Sequence, residues 1–272
     1  MHTIYYKNWV DIFKNPEENT FLRSYSIKYL VVLKMSFGTL YLIPVPLAEA
    51  VERKSYTLYH QELIQHIDEY VVENEKTARR FLKQAGLKIP QHALKIHDYG
   101  KHKREKVDYK QIFESVMAGK DLGLMSEAGC PGVADPGADV VAEAHRRGIK
   151  VVPLVGPSSI LLALMASGFN GQKFAFHGYL PIDKAARAKK IKDLEFQSQK
   201  EQQTQLFIET PFRNNALLTD LIKYCKSSTR LCIACNLTAA DEEILTLTVA
   251  DWQKHIPDLH KKPTIFLLFA QN

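Results

Sequence analysis

Hydroxyls, carboxylates and very small residues crowd into one stretch of this sequence, Leu124-Met125-Ser126-Glu127-Ala128-Gly129-Cys130-Pro131-Gly132-Val133-Ala134-Asp135-Pro136-Gly137. A backbone this bare can approach a ligand closely. At the end of a strand it would do so at the carboxyl edge of a sheet, where open α/β folds bind their substrates. A tight turn needs fewer small residues, so Ser126, Glu127, Ala128 and Gly129 read as a ligand loop. Asp135 and Pro136 read equally well as part of that loop or as the cap and first turn of the following helix. A second stretch, Val152-Pro153-Leu154-Val155-Gly156-Pro157-Ser158-Ser159, sets two hydroxyls at a helix start. The free N–H groups of such a terminus suit a carboxylate, and simple capping by Ser158 explains the same residues.

These loops need elements to hold them. From Gly38 onward, strand-like apolar runs at 39–45, 70–73, 121–126, 150–154 and 174–180 alternate with helical patterns at 77–85, 138–147 and 158–166. The helices stop at Gly86, Gly148 and Gly168, as C-caps prefer. Alternation of this kind predicts an α/β protein with largely parallel strands. Past residue 200 the strands come closer together, at 204–208, 230–237, 244–249 and 264–269, which predicts a mixed second sheet. The turn at Gly156 and Pro157 divides the two patterns, giving domains at 36–155 and 156–272. Residues 1–35 have no clear periodicity and read as an extension, with Met35 an alternative start.

The 272 residues are 46% hydrophobic and 24% charged, as in ordinary globular proteins, and no apolar run is long enough to span a bilayer. With no export signal in the sequence, a cytoplasmic protein is expected. The net charge of +6 favours an anionic partner. Cys232 and Cys235 form a C-x-x-C pair inside an apolar strand. Residues three apart on a strand point to opposite faces, which argues against a shared metal. The histidines show no metal-ligand spacing, and no metal is expected.

The Ser126 to Pro131 motif, Asp135-Pro136-Gly137 and the run from Val151 to Ser158 together resemble the tetrapyrrole methylase superfamily. Phe176-His177-Gly178-Tyr179-Leu180-Pro181, Phe207-Ile208-Glu209-Thr210-Pro211-Phe212-Arg213 and Val72-Glu73-Asn74 agree with it in order and spacing. Within the superfamily the match is nearest the branch that methylates a cytidine ribose 2′-oxygen in small-subunit ribosomal RNA. The resemblance implies two α/β domains with S-adenosylmethionine in the cleft between them, usually in a homodimer. Carried over by position, Pro44, Val45, Ser126, Glu127, Ala128, Gly129, Pro157 and Ser158 would hold the donor. Phe176, Gly178, Tyr179, Asn236, Leu237 and Thr238 would close over its adenosine. The sequence departs from the branch in the loop after the first strand, where Pro44-Val45-Pro46-Leu47-Ala48-Glu49-Ala50 replaces a glycine-bearing segment. It also has Cys235-Asn236 where the branch has an Arg-Glu pair.

Methyl transfer to a ribose hydroxyl requires alignment and gains from a base. Glu73, Asp135 and Glu209 each stand at or just past a predicted strand end, with Glu73 and Glu209 the first choices, and capping or ion pairing explains each as well. Lys101, Lys103 and Arg104 in one basic loop, and Lys184, Arg187, Lys189 and Lys190 on a basic helix, could contact RNA phosphates. The other readings are a tetrapyrrole or protein acceptor, or a homologue that binds donor or RNA without turnover. No G-x-G-x-x-G follows a predicted strand, which argues against a nicotinamide dehydrogenase.

Overall fold

The computed structural model describes residues 37–49, 55–100 and 107–271. The basic loop with Lys101, Lys103 and Arg104 lies outside the described residues, as does the extension at 1–35.

The first half runs β1 (Thr39–Leu42), α1 (Leu58–Ile64), β2 (Glu69–Val72), α2 (Glu75–Gln84), β3 (Lys95–Asp98), α3 (Tyr109–Met117), β4 (Leu122–Met125), α4 (Ala138–Arg146) and β5 (Lys150–Pro153). Its five strands form one sheet in the order β3-β2-β4-β1-β5, and every pairing is parallel. Both faces are covered, which is why β2 and β4 are buried along their whole length instead of alternating. One apolar cluster joins Ile64, Tyr70 and Leu82 on one face, and a second joins Leu40, Phe113 and Val140 on the other.

The second half runs α5 (Ser159–Ser167), β6 (Phe174–Tyr179), α6 (Lys184–Glu201), β7 (Thr204–Ile208), α7 (Asn214–Tyr224), β8 (Arg230–Cys235), β9 (Glu243–Thr248), α8 (Val249–Trp252) and β10 (Thr264–Phe269). The sheet order is β6-β7-β10-β8-β9. Only β6 and β7 pair in parallel, so this sheet is mixed, as expected. Cys232 packs in the cluster with α5, and Cys235 in the cluster with α6 and α7. The two thiols therefore face away from each other across the sheet. Among the described residues no helix is long and apolar enough to cross a membrane.

Two local readings need correction. The cap of α4 is Gly137 at φ 126°, not Asp135, and it makes no side-chain capping bond. A positive φ suits glycine, and the carbonyl of Pro136 instead turns back to accept from Gly132 N–H at 3.1 Å. The sequence reading also passed over β3, whose residues Lys95-Ile96-His97-Asp98 carry no apolar pattern. Its attachment to the sheet is partly ionic. Glu69 on β2, with a side chain only 4% exposed, accepts from His97 Nε2 at 2.6 Å and Lys95 Nζ at 2.8 Å.

Burial alone would raise the pKa of Glu69, but the bonds from His97 and Lys95 outweigh it and hold the carboxyl at about 2, against an ordinary 4.5. A folded-state pKa below the unfolded one contributes stability that is complete above the unfolded value and lost as pH falls through the folded one. At 1.36 kcal/mol per unit this amounts to about 3 kcal/mol. Urea unfolding measured from pH 6 down to pH 2 should therefore show the unsubstituted protein losing about 3 kcal/mol more than Glu69→Gln across the window from 4.5 to 2. Equal losses in the two proteins would remove the ionic account of β3.

Candidate active site

In a parallel sheet all carboxyl ends lie on one edge, so the segments leaving β1 and β4 emerge side by side. β1 and β4 are neighbours whose onward connections lead to opposite sides of the sheet, and crevices form at such points. Here the two segments are tied together. Val45 N–H donates to Gly129 O at 2.9 Å, and Gly129 N–H donates to Val45 O at 3.0 Å. Gly129 has φ +73°, and a Cβ on it would lie 3.2 Å from Leu47 Cδ2 and 3.6 Å from Pro157 O.

The second sheet presents a matching edge. The ends of β6, β7 and β8 and the start of β10 meet there, since Tyr179 and Ile265 both register with Ile208, and Thr264 with Cys235. Between the two edges opens a cleft of about 440 Å³, within the roughly 300–1,000 Å³ typical of small-molecule sites. From the first half come Leu47, Ala48, Ala128, Gly129, Cys130 and residues 133–135, and from the second Ser158, Ser159, Ile160, Tyr179, Ile208, Glu209, Asn236 and Leu237, among others. A smaller cleft of about 210 Å³ shares Leu47, Ala48 and Ala128 with the first and is bounded by Val45, Glu49, Arg80, Gln84, Ser126 and Glu127.

The expected donor residues thus divide. Ala128, Gly129, Ser158, Tyr179, Asn236 and Leu237 line the main cleft, whereas Val45, Ser126 and Glu127 line the smaller one. Pro44 is buried behind both, against Gly156, whose Cβ would fall 2.3 Å from Pro44 Cβ. Pro157 contributes its carbonyl, which accepts from Cys130 Sγ at 3.3 Å. Phe176 packs into the apolar cluster of α5, and Gly178 (φ +63°) gives the strand its turn toward Tyr179.

Ser158 is the N-cap of α5, yet its side chain makes no capping bond. Ser158, Ser159 and Ile160, the residues of this helix start, all line the cleft. Such a terminus carries partial positive charge and binds carboxylates. Burial pushes the Cys130 thiol up, which disfavours its thiolate form.

Backbone strain gathers at the same place, and sequence reading had no signal for it. Among the described residues five non-glycines have positive φ, of which Ala134 (61°) and Asn236 (49°) line the cleft and Thr238 (71°) follows directly. Each costs about 1–3 kcal/mol, and such residues cluster where ligands bind. Asn236 is held by Nδ2–H donation to Asp241 at 2.7 Å, and Thr238 N–H donates to Glu242 at 2.5 Å. Thr238 Oγ1 is buried with no hydrogen-bond partner.

The three carboxylates have different settings. Glu209 lines the cleft with its side chain 1% exposed, but its Oε1 already accepts from Thr210 N–H (2.6 Å), Arg213 Nε (3.1 Å) and Arg213 Nη2 (2.6 Å). Glu73 accepts from Glu127 N–H at 3.4 Å and does not border the main cleft. Asp135 does border it.

The basic helix is α6, and it departs from expectation at Arg187. That side chain is buried, pairs with Asp220 at 2.6 Å and donates to the carbonyl of Ile182 at 3.0 Å, so it is structural and unavailable to RNA. Lys184 and Lys189 are exposed and Lys190 half-buried. At about 100° per residue, Lys189 and Lys190 point roughly 140° and 240° around the helix from Lys184, so they form no single stripe.

A family model for Tetrapyrrole (Corrin/Porphyrin) Methylases matches residues 40–253. A protein of Synechocystis sp. named Ribosomal RNA small subunit methyltransferase I is 28% identical over 206 residues, 76% of this chain and 69% of that protein. Its namesake in Xylella fastidiosa is 28% identical over 235 residues, covering 86% and 81%, and that of Bacillus subtilis 28% over 218, covering 80% and 70%. The crystal structure of the methyltransferase CobJ superposes with a TM-score of 0.56 at 17% identity, covering 85% of this chain and 94% of that one, a likeness of fold.

Removing Arg187 leaves the Asp220 carboxylate uncompensated in a largely buried place, and breaking such a pair costs about 3–5 kcal/mol. Arg187→Ala is expected to lower the urea midpoint accordingly, while Lys189→Ala on the exposed face shifts it by less than about 0.5 kcal/mol. Similar small shifts for both would return Arg187 to the surface.

Proposed function

The chain belongs to the tetrapyrrole (corrin/porphyrin) methylase family, and from that premise we propose that it transfers a methyl group from S-adenosylmethionine to a cytidine ribose 2′-oxygen in small-subunit ribosomal RNA. The observation that carries the reading is the cleft built jointly by the two sheet edges. Its residues suit the donor. The open N-terminus of α5 with Ser158 and Ser159 matches an amino-acid carboxylate. Leu47, Ile160, Ile208 and Leu237 offer apolar surface to a purine. Ala128 and Gly129 let the ligand lie against backbone.

When bound, S-adenosylmethionine supplies a methyl group on a cationic sulfonium. The protein's task is to align an acceptor oxygen with it and keep water out. We seat the acceptor nucleotide in the smaller cleft, which joins the donor cleft at Leu47, Ala48 and Ala128 and carries Arg80, Gln84 and Glu49 on its walls. The departing hydroxyl proton goes to Asp135. Glu209 is the poorer candidate because its Oε1 is already engaged by three hydrogen bonds. The shared name of the relatives supports small-subunit ribosomal RNA as the acceptor.

The two halves act as domains divided at residues 155 and 156. The protein works in the cytoplasm as a homodimer, with a second copy against α5. That helix is apolar on nearly every side, and Leu161 and Met165, one turn apart, are 51% and 79% exposed.

Incubation with methyl-labelled donor and small ribosomal subunits from cells lacking the gene should place label in RNA, in a dinucleotide that survives alkali. Label that alkali releases as mononucleotide, or none at all, would refute 2′-O-methylation. Asp135→Asn should lower kcat about 10²- to 10⁴-fold, the usual contribution of a base, with donor affinity unchanged. An unaltered kcat would leave alignment alone as the catalytic device. Light scattering should give twice the chain mass, and Met165→Glu should return it to one.

A further inference from the structure

An exposed aromatic stands one residue beyond the rim of the donor cleft. Phe212 is 69% exposed, while Pro211 and Pro263 on the two adjoining segments line the cleft itself. The ring stands with cationic company. Lys261 Nζ lies 6.0 Å from its centroid, and the His260 ring meets it edge-on at 5.8 Å and 73°. Lys262 and Arg213 follow immediately on the same two segments.

The group is built, although its members are separated by about fifty residues. Lys261 N–H donates to Pro211 O at 3.0 Å, and Asn214 Nδ2 donates to Lys262 O at 2.7 Å, tying the two segments. Asp258 Oδ1 accepts from Asn215 Nδ2 at 2.7 Å and His260 N–H at 3.0 Å, which anchors the second segment to the start of α7. Lys261 has a positive φ of 61°, a strained conformation held by those bonds. A ring fixed in the open next to cations is the arrangement with which proteins hold unpaired bases, the ring stacking on the base and the cations meeting phosphates.

We propose that Phe212 is a stacking platform for an unpaired base adjacent to the methylated nucleotide, with His260, Lys261 and Lys262 holding the flanking phosphates. This rests on ribosomal RNA being the acceptor. It adds a contact that fixes the register of the strand, so that one ribose and not its neighbour reaches the cleft. The base stacks on the ring face away from Lys261.

The test compares the unsubstituted enzyme with Phe212→Ala, Phe212→Leu and Phe212→Tyr, measuring KM for small subunits from cells lacking the gene and, separately, Kd for the donor. Being largely exposed, the position tolerates all three. Loss of one stacked base corresponds to about a five- to 150-fold effect. We expect KM to rise by that factor in Phe212→Ala and Phe212→Leu, to stay within about twofold in Phe212→Tyr, and the donor Kd to stay unchanged throughout. If Phe212→Ala retains its KM while the unsubstituted enzyme methylates the subunits, the platform is overturned and the RNA reading stands. If Phe212→Ala weakens donor binding instead, Phe212 belongs to the donor site and the platform is again overturned. If the unsubstituted enzyme binds donor but labels no RNA, the acceptor reading fails and takes the platform with it.

Discussion

The pair of backbone hydrogen bonds between Val45 and Gly129 is the constraint on which the site depends. It joins the segments that leave two neighbouring parallel strands, and so makes one floor of two strand ends. Only glycine fits easily at position 129, because of its φ of +73° and because a Cβ would crowd Leu47. With that floor fixed, Leu47 and Ala48 are held against Ala128, and both clefts share the same wall. The two clefts are thus adjacent because of a backbone interaction, independent of any side-chain contact.

The second half answers with strain. Asn236 and Thr238 hold positive φ just after β8, fastened by Asp241 and Glu242, and a β-branched threonine is among the residues least suited to that region. The antiparallel pairs around β10 make this possible, since they bring the end of β8, the start of β10 and the end of β7 to one edge. A parallel sheet would have carried the start of β10 to the opposite edge. The change from a parallel first sheet to a mixed second one is therefore what lets a single cleft draw on so many segments.

Much of this was legible in the sequence because it is local. The apolar runs, the glycine stops and the small-residue loop after β4 are each encoded within about fifteen residues. What escaped is what distant residues make together. β3 has no apolar signature, because it holds the sheet through Glu69, His97 and Lys95 as well as through packing. Arg187 was grouped with the lysines by charge, although it falls in register with the buried Ile191, Leu194 and Ser198, at spacings of four, seven and eleven residues. That periodicity was a signal for burial. The small-residue loop at the sheet edge was legible, but Asp135 was as open to capping as to chemistry until Gly137 was seen to hold the cap position.

The proline-bearing segment after β1 bears on whether the family's chemistry survives in this chain. A lost glycine loop could have closed the cleft, yet Leu47 and Ala48 line it and leave it about 440 Å³. Pro44 is turned inward, with its ring filling the space that the bare backbone of Gly156 leaves at the junction of the two halves. A proline has a fixed φ and no N–H to satisfy, so it can be buried there without an orphaned donor. The bond that follows it, from Val45 N–H to Gly129 O, is kept. The proline thus anchors this segment where the two halves meet, while the pairing of Val45 with Gly129 at the floor of the cleft is kept.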